Sequence, residues 1–463
     1  MEDIEKKKIK TEKRQMRTTT KILLGFLATI LIGSALLALP VATVSGQSDY
    51  LTALFTSTTS VCVTGLVVVP TFSYWSLFGK VVILILIQLG GLGIVALTSV
   101  VMLVLNRKFS LRNRMMIQDS FGLNSMRGMV VFVKKVIKGT LLVEAIGACL
   151  YMIAFIPRFG VPRGIWYSVF NAISAFCNAG IDILGPDSLM SFSTSPLVLF
   201  TSAFLIVSGG IGFVVWWDFV DVFKKVRNKE IALKNFGKNL KIHTKIVLVM
   251  TASLIVSGMI LTLLFEYNNP QTLGNMSFPH KLLNAFFQSV TLRTAGFAAI
   301  SQSGLTDSSV LVSLVYMIIG GSPVGTAGGI KTVTVAVLLL AVNSVIQGRN
   351  ETVVAKKTVN PFLIRRSLAV VTISGLVFLI FTVLLLVTNH LPLADGAFEV
   401  ASAIATVGLS RDVTALLNTF GRILIIICMY LGRVGPITMF IFFGQRAGNK
   451  NSVHYSEAEI IVS

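Results

Sequence analysis

Long apolar stretches, separated by short polar segments, run through nearly the whole chain. They start near residues 22, 81, 136, 197, 246, 308, 368 and 421. Each approaches the roughly 20 residues that a helix needs to cross the hydrocarbon core of a bilayer. The pattern therefore predicts eight membrane-spanning helices. A further short segment of mixed character lies inside each successive pair, so the chain divides into four units of two spans.

Each of these short segments carries a phenylalanine that is followed ten residues later by a glycine. The glycines are 115, 116 and 112 residues apart. Such a regular recurrence indicates a fourfold internal repeat. The phenylalanines are Phe55, Phe170, Phe286 and Phe398, and the glycines are Gly65, Gly180, Gly296 and Gly408.

The short segments cannot cross a membrane. About ten residues of helix rise only ~15 Å, half of a bilayer. Each segment must therefore enter and leave on one side, as a pore helix followed by an extended strand. Non-helical backbone at that depth is tolerated where it is buried or lines a water-filled path. We predict an all-α polytopic membrane protein with four M1–pore helix–M2 repeats around a pseudo-fourfold central pore.

The predicted boundaries follow from the same pattern. The repeats cover residues 22–105, 130–222, 243–345 and 364–444. A basic N-terminal segment, 1–21, and a C-terminal tail, 445–463, flank them.

Composition and charge agree with a membrane protein and give its orientation. The chain is 54% hydrophobic and 13% charged, with a mean hydropathy of +0.81, values typical of polytopic membrane proteins. Its net charge is +20, and 31 of the 40 Lys and Arg residues lie in 1–21, 106–138, 223–245, 346–366 and after 443. These are the ends and alternate connections, so the positive-inside rule predicts that both termini are cytoplasmic. We interpret the basic segments as determinants of topology that contact anionic lipid, and we predict no nucleic-acid partner.

The four residues that end at each repeat glycine, here called a tetrad, predict the chemistry of the pore. Only the glycine is common to all four, so the shared feature is the backbone, and glycine lets carbonyls turn inward. Rings of carbonyls can replace the water shell of an ion. The partly negative C-terminal ends of the pore helices favour a cation. The predicted selectivity filter, which holds a cation through backbone carbonyls, comprises Cys62, Val63, Thr64, Gly65, Cys177, Asn178, Ala179, Gly180, Thr294, Ala295, Gly296, Thr406, Val407 and Gly408.

A second set of glycines lies about 25 residues further on, in the second spans. For Gly90-Gly91 and Gly209-Gly210 we favour close helix packing through small residues. The third copy, 320–330, has five glycines and a proline, so an intact helix is not expected there. We predict that this intramembrane loop gates the pore. The predicted gate comprises Gly320, Gly321, Ser322, Pro323, Val324, Gly325, Thr326, Ala327, Gly328, Gly329, Lys331 and Arg433.

Charged residues inside the apolar segments cost free energy unless they are paired or hydrated. Lys331 and Arg433 would either raise the barrier to cations or hold the loop by capping its carbonyls, and we favour a gating role for them over purely structural pairing. Arg293 in the third tetrad and Glu399 in the fourth pore helix suggest a salt bridge that supports the filter, although spacing does not identify the partners. Asp182 and Asp187 follow the second tetrad and either concentrate cations at the outer mouth or simply face solvent.

Other functional classes lack support in the sequence. The glycine run before Lys331 resembles a phosphate-binding loop, but Ile330 replaces the glycine that such a loop needs before its lysine. Four scattered His and four Cys give no metal-binding or catalytic spacing. We therefore predict a protein that is not an enzyme and has no bound cofactor.

Taken together, several motifs resemble those of one known group of proteins. The segments VTGL, CNAG, TLRTAGF and TVGL, the interrupted GGSPVGTAGGIKT and the late LGRVGP resemble the Trk/Ktr/HKT superfamily of potassium transporters, and most of all its KtrB-type ion-translocating subunits. The resemblance implies K⁺ uptake across a bacterial cytoplasmic membrane by a gated homodimer. It also implies a cytosolic KtrA-type ring that binds ATP, ADP or cyclic di-AMP, with Na⁺ as a coupling or activating ion in some members. In this superfamily four filter glycines accompany K⁺ selectivity, whereas serine at the first position accompanies Na⁺. The loop and Arg433 match the gate of the superfamily.

Two alternatives remain at this stage. A sodium or mixed monovalent cation transporter of the same superfamily would share the architecture. An alternating-access carrier for a small solute is a different class. Such carriers often show inverted two-part symmetry, whereas this chain shows four parallel copies with glycines at one depth.

Overall fold

The computed structural model describes residues 2–93 and 129–435, with side chains from residue 20 onward in the first range and from residue 131 in the second. Parts of the predicted first and fourth repeats (94–105 and 436–444), the basic connection around 106–128 and the C-terminal tail lie outside the described residues. The described ranges are mainly helical, which confirms the predicted all-α class, and they contain a two-stranded hairpin of β1 (Val353–Val354) and β2 (Lys357–Thr358). In chain order the described helices are α1 (Glu2–Leu37), α2 (Tyr50–Cys62), α3 (Thr71–Tyr74), α4 (Leu77–Leu92), α5 (Met129–Phe159), α6 (Val161–Cys177), α7 (Pro196–Gly210), α8 (Phe213–Arg227), α9 (Phe236–Asn239), α10 (Ile242–Glu266), α11 (Phe278–Thr291), α12 (Asp307–Ile318), α13 (Thr332–Ile346), α14 (Pro361–Asn389), α15 (Leu393–Ala405) and α16 (Thr419–Val434).

The first helix of each repeat is long enough and apolar enough to cross a membrane. These helices are α1, α5, α10 and α14, and their apolar parts are Thr20–Leu37, Val131–Phe159, Ile242–Glu266 and Pro361–Asn389. Large apolar side chains on their outer surfaces remain exposed, for example Leu379 and Val387 on α14, at 59% and 67%. A surface of this kind is stable against lipid rather than water. The protein is therefore a multi-pass membrane protein.

The second spans of the second and third repeats are not single straight helices. In the second repeat, α7 and α8 meet at an angle of 96°, and Gly212 between them has a positive φ of 93°. The second span of this repeat is thus sharply bent, although its apolar pattern predicts one continuous helix. In the third repeat, α12 ends at Ile318 and α13 begins at Thr332, so the residues between them contain the glycine- and proline-rich run.

The four short helices between first and second spans lie at the centre of the molecule. They are α2, α6, α11 and α15, of 13 to 17 residues, so they rise only about 20–25 Å. Phe55, Phe170 and Phe398 are fully buried in this centre. Phe286 of the third copy is partly exposed and packs against Phe200, with ring centroids 5.7 Å apart. These helices position the tetrads that follow them.

Candidate ion pathway and intramembrane loop

The second residue of every tetrad has a left-handed backbone conformation. The φ angles are 56° at Val63, 59° at Asn178, 63° at Thr294 and 53° at Thr406. Three of these residues are β-branched, and for such side chains this conformation is costly. Its presence at four equivalent positions indicates that the surrounding structure imposes it, which is a known property of functional sites.

Hydrogen bonds at the ends of the pore helices maintain this turn. In the first repeat, Val63 N donates to Ser60 O at 3.2 Å and Thr64 N donates to Thr59 O at 2.9 Å. The second and fourth repeats have the same pair of bonds, which is the Schellman pattern of helix termination. Gly65 N donates in addition to the Thr59 hydroxyl at 2.9 Å. The backbone N–H groups of this turn thus donate hydrogen bonds to acceptors in the same repeat.

The four tetrad glycines come together around one axis. All have positive φ angles, of 104°, 66°, 81° and 95° in chain order. A Cβ atom on Gly65 would lie 2.5 Å from Ala179 O, one on Gly180 2.7 Å from Ala295 O, and one on Gly296 2.6 Å from Val407 O. A Cβ atom on Gly408 would overlap Thr64 O and close the ring. The repeats therefore follow one another around the axis in chain order, and each glycine lies against the third carbonyl of the next tetrad.

Polar side chains around the tetrads contact other helices. The thiol of Cys177 donates to Gln88 Oε1 at 3.7 Å, and Gln88 Nε2 donates to Glu144 Oε2 at 3.4 Å. Arg293 is only 6% exposed and donates to Thr251 Oγ1 at 3.4 Å.

Within the described ranges, neither Arg293 nor Glu399 forms the filter-supporting salt bridge for which the sequence left the partners open. Glu399 accepts hydrogen bonds from the hydroxyls of Ser410, at 2.7 Å, and Thr414, at 2.5 Å. The two ion pairs formed within the described ranges, Lys241–Asp218 and Arg411–Asp395, include neither residue. Hydroxyl groups close to Glu399 in the same repeat satisfy its carboxylate instead.

The glycines of the second spans allow close approach to the pore helices. A Cβ atom on Gly90 would lie 2.8 Å from the carbonyl carbon of Val61, and one on Gly432 would lie 2.9 Å from that of Ile404. Gly209 has the same relation to Phe176, at 3.0 Å. The favoured interpretation of close packing therefore agrees with the geometry in the first two repeats, and the fourth repeat follows it.

The intramembrane loop docks on the bend of the second repeat. Ser322 N donates to Gly210 O at 2.9 Å and Thr326 N donates to Gly209 O at 3.1 Å. In return, Phe213 N donates to Val324 O at 3.0 Å. The bend between α7 and α8 thus exposes backbone groups that the loop satisfies. A third glycine close after Gly209-Gly210, at position 212, is the sequence signal that could have indicated it.

The same loop lies directly against two tetrads. The Thr326 hydroxyl donates to Phe176 O at 3.1 Å and lies 3.2 Å from the side-chain amide of Asn178. A Cβ atom on Gly328 would lie 2.8 Å from Ala405 O, the carbonyl of the first residue of the fourth tetrad. The loop therefore contacts the second and fourth tetrads.

Arg433 and Lys331 both donate to loop carbonyls. Arg433 Nη1 donates to Thr326 O at 2.6 Å, and its Nη2 donates to the carbonyl oxygens of Gly90 and Gly91 in the first repeat. Lys331 Nζ donates to Ala327 O at 2.7 Å and to Gly328 O at 3.3 Å. Capping of loop carbonyls by these two side chains, which the sequence had offered beside a barrier to cations, is thus present in the structure. Arg433 links the first, third and fourth repeats.

Asp182, two residues beyond Gly180, is half-buried. Burial raises the pKa of Asp182 to about 6, although its Oδ1 accepts a hydrogen bond from Leu184 N at 3.2 Å. The equivalent positions in the other repeats are Val67, Ala298 and Ser410. A carboxylate at this level is therefore a property of the second repeat alone.

The tetrads and loop offer oxygen dipoles rather than charged ligands. No tetrad contains Asp or Glu. In the described part of the chain, no group of three or more His, Cys, Asp or Glu side chains is arranged to hold a metal ion. Four carbonyls around one axis can bind a monovalent cation that passes through, and basic groups on the loop can oppose it.

Comparison with known proteins places this arrangement in a family. The family model TrkH, described as a cation transport protein, matches residues 3–455. The chain is 34% identical to the potassium/sodium uptake protein NtpJ of Enterococcus hirae, over 97% of this chain and 98% of that protein. It is 36% identical to the Ktr system potassium uptake protein B of Bacillus subtilis, over 94% and 95%, and 38% identical to the protein of the same name of Vibrio alginolyticus, over 90% and 89%. The fold matches the crystal structure of the potassium transporter TrkH from Vibrio parahaemolyticus with a TM-score of 0.71, at 16% identity, over 91% of this chain and 84% of that one.

Proposed function

Since this chain belongs to the TrkH family of cation transport proteins, we propose that it takes up K⁺ across a bacterial cytoplasmic membrane through a selective, gated pore with both termini in the cytoplasm. The membrane potential drives the uptake, with about 2.3 kcal/mol per charge per 100 mV. The protein is the pore-forming subunit of a Ktr-type system.

The observation that carries this proposal is the ring of tetrad glycines. Each glycine lies against the third carbonyl of the next tetrad, and three of these contacts would place a Cβ atom 2.5 to 2.7 Å from the carbonyl oxygen. A ring in which each tetrad glycine lies this close to a carbonyl of the next tetrad suits an ion that exchanges its water shell for carbonyls. None of the sixteen tetrad positions is Asp or Glu, which favours binding of the ion by backbone carbonyls over binding by a ring of acidic side chains.

The gate that we propose is the intramembrane loop with Lys331 and Arg433. Its support is the position of the loop against the tetrads of the second and fourth repeats and its two basic caps. Residues 320–330 reach these tetrads through hydrogen bonds and glycine contacts rather than through a continuous helix. A segment of this kind can move without unwinding a span.

For regulation we propose a homodimer with a cytosolic nucleotide-binding ring of the KtrA type. Two of the relatives are named as proteins of Ktr systems, and the basic connections of this chain are available on the cytoplasmic side of the proposed topology. ATP, ADP or cyclic di-AMP would act through that ring, and Na⁺ would act as a coupling or activating ion. A test is Rb⁺ uptake by the membrane subunit with and without a purified candidate ring protein.

A sodium or mixed-cation transporter is the second candidate, because the Enterococcus relative is named a potassium/sodium uptake protein. Glycine at all four filter positions favours K⁺. The test is ⁸⁶Rb⁺ uptake by cells that lack other K⁺ systems, with K⁺ or Na⁺ as competitor.

We expect K⁺ to suppress Rb⁺ uptake at concentrations at which Na⁺ does not. Equal competition by both ions would instead identify a mixed-cation pathway. In the same assay, deletion of residues 322–328 is expected to raise the flux. A lower flux from a deletion variant that is present in the membrane at normal amounts would show that the loop is not the gate.

A further inference from the structure

Three consecutive carbonyls of the intramembrane loop are each bound by a basic side chain. Thr326 O accepts from Arg433 Nη1 at 2.6 Å, Ala327 O accepts from Lys331 Nζ at 2.7 Å, and Gly328 O accepts from the same ammonium group at 3.3 Å. Consecutive carbonyls that converge on one cation are unusual in a helical protein, because a helix directs its carbonyls along its axis.

The ammonium group of Lys331 has no carboxylate as its counter-charge in the described residues. The ion pairs formed there are Lys241–Asp218 and Arg411–Asp395. Lys331 Nζ is instead coordinated by two backbone oxygens of residues three and four positions earlier in the chain. These are the same kind of ligand that a carbonyl filter offers to an alkali cation.

The position of these carbonyls places them next to the tetrads. Thr326 lies against the second tetrad through Phe176 O and Asn178. Gly328 lies against Ala405 and Thr406 of the fourth tetrad. A cation that leaves the ring on the side of the loop would therefore meet this group of carbonyls next.

We propose that the carbonyls of Ala327 and Gly328 form an alkali-cation site, and that the Lys331 ammonium group occupies it as a tethered competitor of the transported ion. This inference rests on the proposed function. When the Lys331 side chain leaves, an alkali ion takes over its oxygen ligands. One monovalent cation then replaces another, so the charge at the loop stays constant during the exchange. The loop is in this way a second ion site as well as an obstruction.

The direct test is Lys331→Met, which keeps the apolar stem and removes the charge. Crystals or cryo-EM samples of the full-length protein would be prepared in Rb⁺ or Tl⁺, whose scattering identifies the ion. In the variant we expect one additional ion at the carbonyls of Ala327 and Gly328, and in the wild type the lysine in its place. Rb⁺ uptake should rise on the order of tenfold, as expected when a charge-assisted hydrogen bond that holds the closed state is lost. Lys331→Arg retains a positive charge. In this variant we expect no Rb⁺ at the loop carbonyls and an Rb⁺ flux as low as that of the wild type.

Ions in the ring of tetrads separate the two proposals. If the ring of the variant binds Rb⁺ and the loop carbonyls do not, the tethered-competitor proposal is wrong and the proposed function stands. If the ring of tetrads binds no Rb⁺ and the wild type shows no Rb⁺ uptake, the proposed function itself is wrong, and with it the inference that rests on it.

A second variant tests the proposal in case Lys331→Met does not fold. Lys331→Cys in a Cys149→Ser background can be treated with 2-aminoethyl methanethiosulfonate, which adds an ammonium group to the new thiol; Cys149 is the exposed native cysteine among the described residues. We expect the reagent to lower a raised Rb⁺ flux and to displace the additional ion. An uncharged methyl reagent that has the same effect would overturn the proposal.

Discussion

The Thr326 hydroxyl lies 3.2 Å from the side-chain amide of Asn178, although 148 residues separate them in the chain. The contact joins the interrupted second span of the third repeat to the tetrad of the second. Because Thr326 also donates to Phe176 O, one side chain holds the loop against the end of a pore helix. Displacement of the loop must break these bonds.

Replacement of Thr326 by valine should therefore favour the open state. Valine has nearly the same volume but cannot donate to Phe176 O or bond to Asn178. Two hydrogen bonds of about 1 kcal/mol each correspond to a change in the closed-to-open ratio of about thirtyfold. We expect Rb⁺ uptake in Thr326→Val to rise by up to that factor, measured at equal amounts of membrane protein.

Thr326→Ser is the matched control, because it keeps the hydroxyl and should stay close to the wild type. Uptake that is equally raised in Thr326→Ser would attribute the effect to packing of the lost methyl group. Uptake that falls in Thr326→Val would contradict a role of this contact in closure.

Gly65→Ser should lower the discrimination between K⁺ and Na⁺. A Cβ atom at this position would lie 2.5 Å from Ala179 O, so the ring must shift to accommodate it. Competition of Na⁺ against ⁸⁶Rb⁺ uptake measures the effect, and we expect the K⁺ preference to fall at least about tenfold, since a shift of 1.4 kcal/mol in relative affinity has that effect.

Gly46→Ser separates backbone strain from the ring contact. Gly46 has a positive φ of 73°, and no atom of the described residues would lie within 4 Å of a Cβ there. This variant should carry similar strain and keep its selectivity. A Gly65→Ser protein with unchanged discrimination would refute the carbonyl ring as the selective element.

Asp182 should make uptake sensitive to the external pH. Because burial raises its pKa to about 6, the carboxyl is charged above that pH and neutral below it. A charge at about 10 Å from an ion in water contributes ~0.4 kcal/mol, which corresponds to about a twofold change in local cation concentration. We expect the KM for Rb⁺ to rise about twofold as the external pH falls from 7 to 5, at low ionic strength.

The variant Asp182→Asn should have the higher KM at both values of pH. Asp187→Asn serves as the control, because Asp187 is exposed in the next part of the same connection. A KM that still doubles in Asp182→Asn would assign the pH dependence to another group.

Features that depend only on residues within one repeat, such as the pore helices and the interrupted third second span, could be predicted from the sequence. Gly65 and its three counterparts stand ten residues after a phenylalanine because each pore helix has a similar length and ends at the same level. Even this regularity has limits, since Phe286 is half-exposed whereas Phe55 is buried. The position of the intramembrane loop was visible because glycine and proline disfavour helix wherever they occur together.

Contacts between repeats were not predictable in the same way. Arg433 binds the carbonyls of Thr326, Gly90 and Gly91, and a backbone acceptor leaves no signature in the amino-acid sequence. The same reason explains why the bend at Gly212 was missed, because its unpaired backbone groups are satisfied by a loop more than a hundred residues later. The partners of Glu399, which spacing did not identify, are the hydroxyls of Ser410 and Thr414.

The closure of the glycine ring has a consequence for biosynthesis. Its last contact, of Gly408 with Thr64, joins the repeat that leaves the ribosome last to the one that leaves first. A nascent chain with three repeats inserted therefore has an open ring. The carbonyl filter that we propose thus cannot form before the fourth repeat has been translated and inserted.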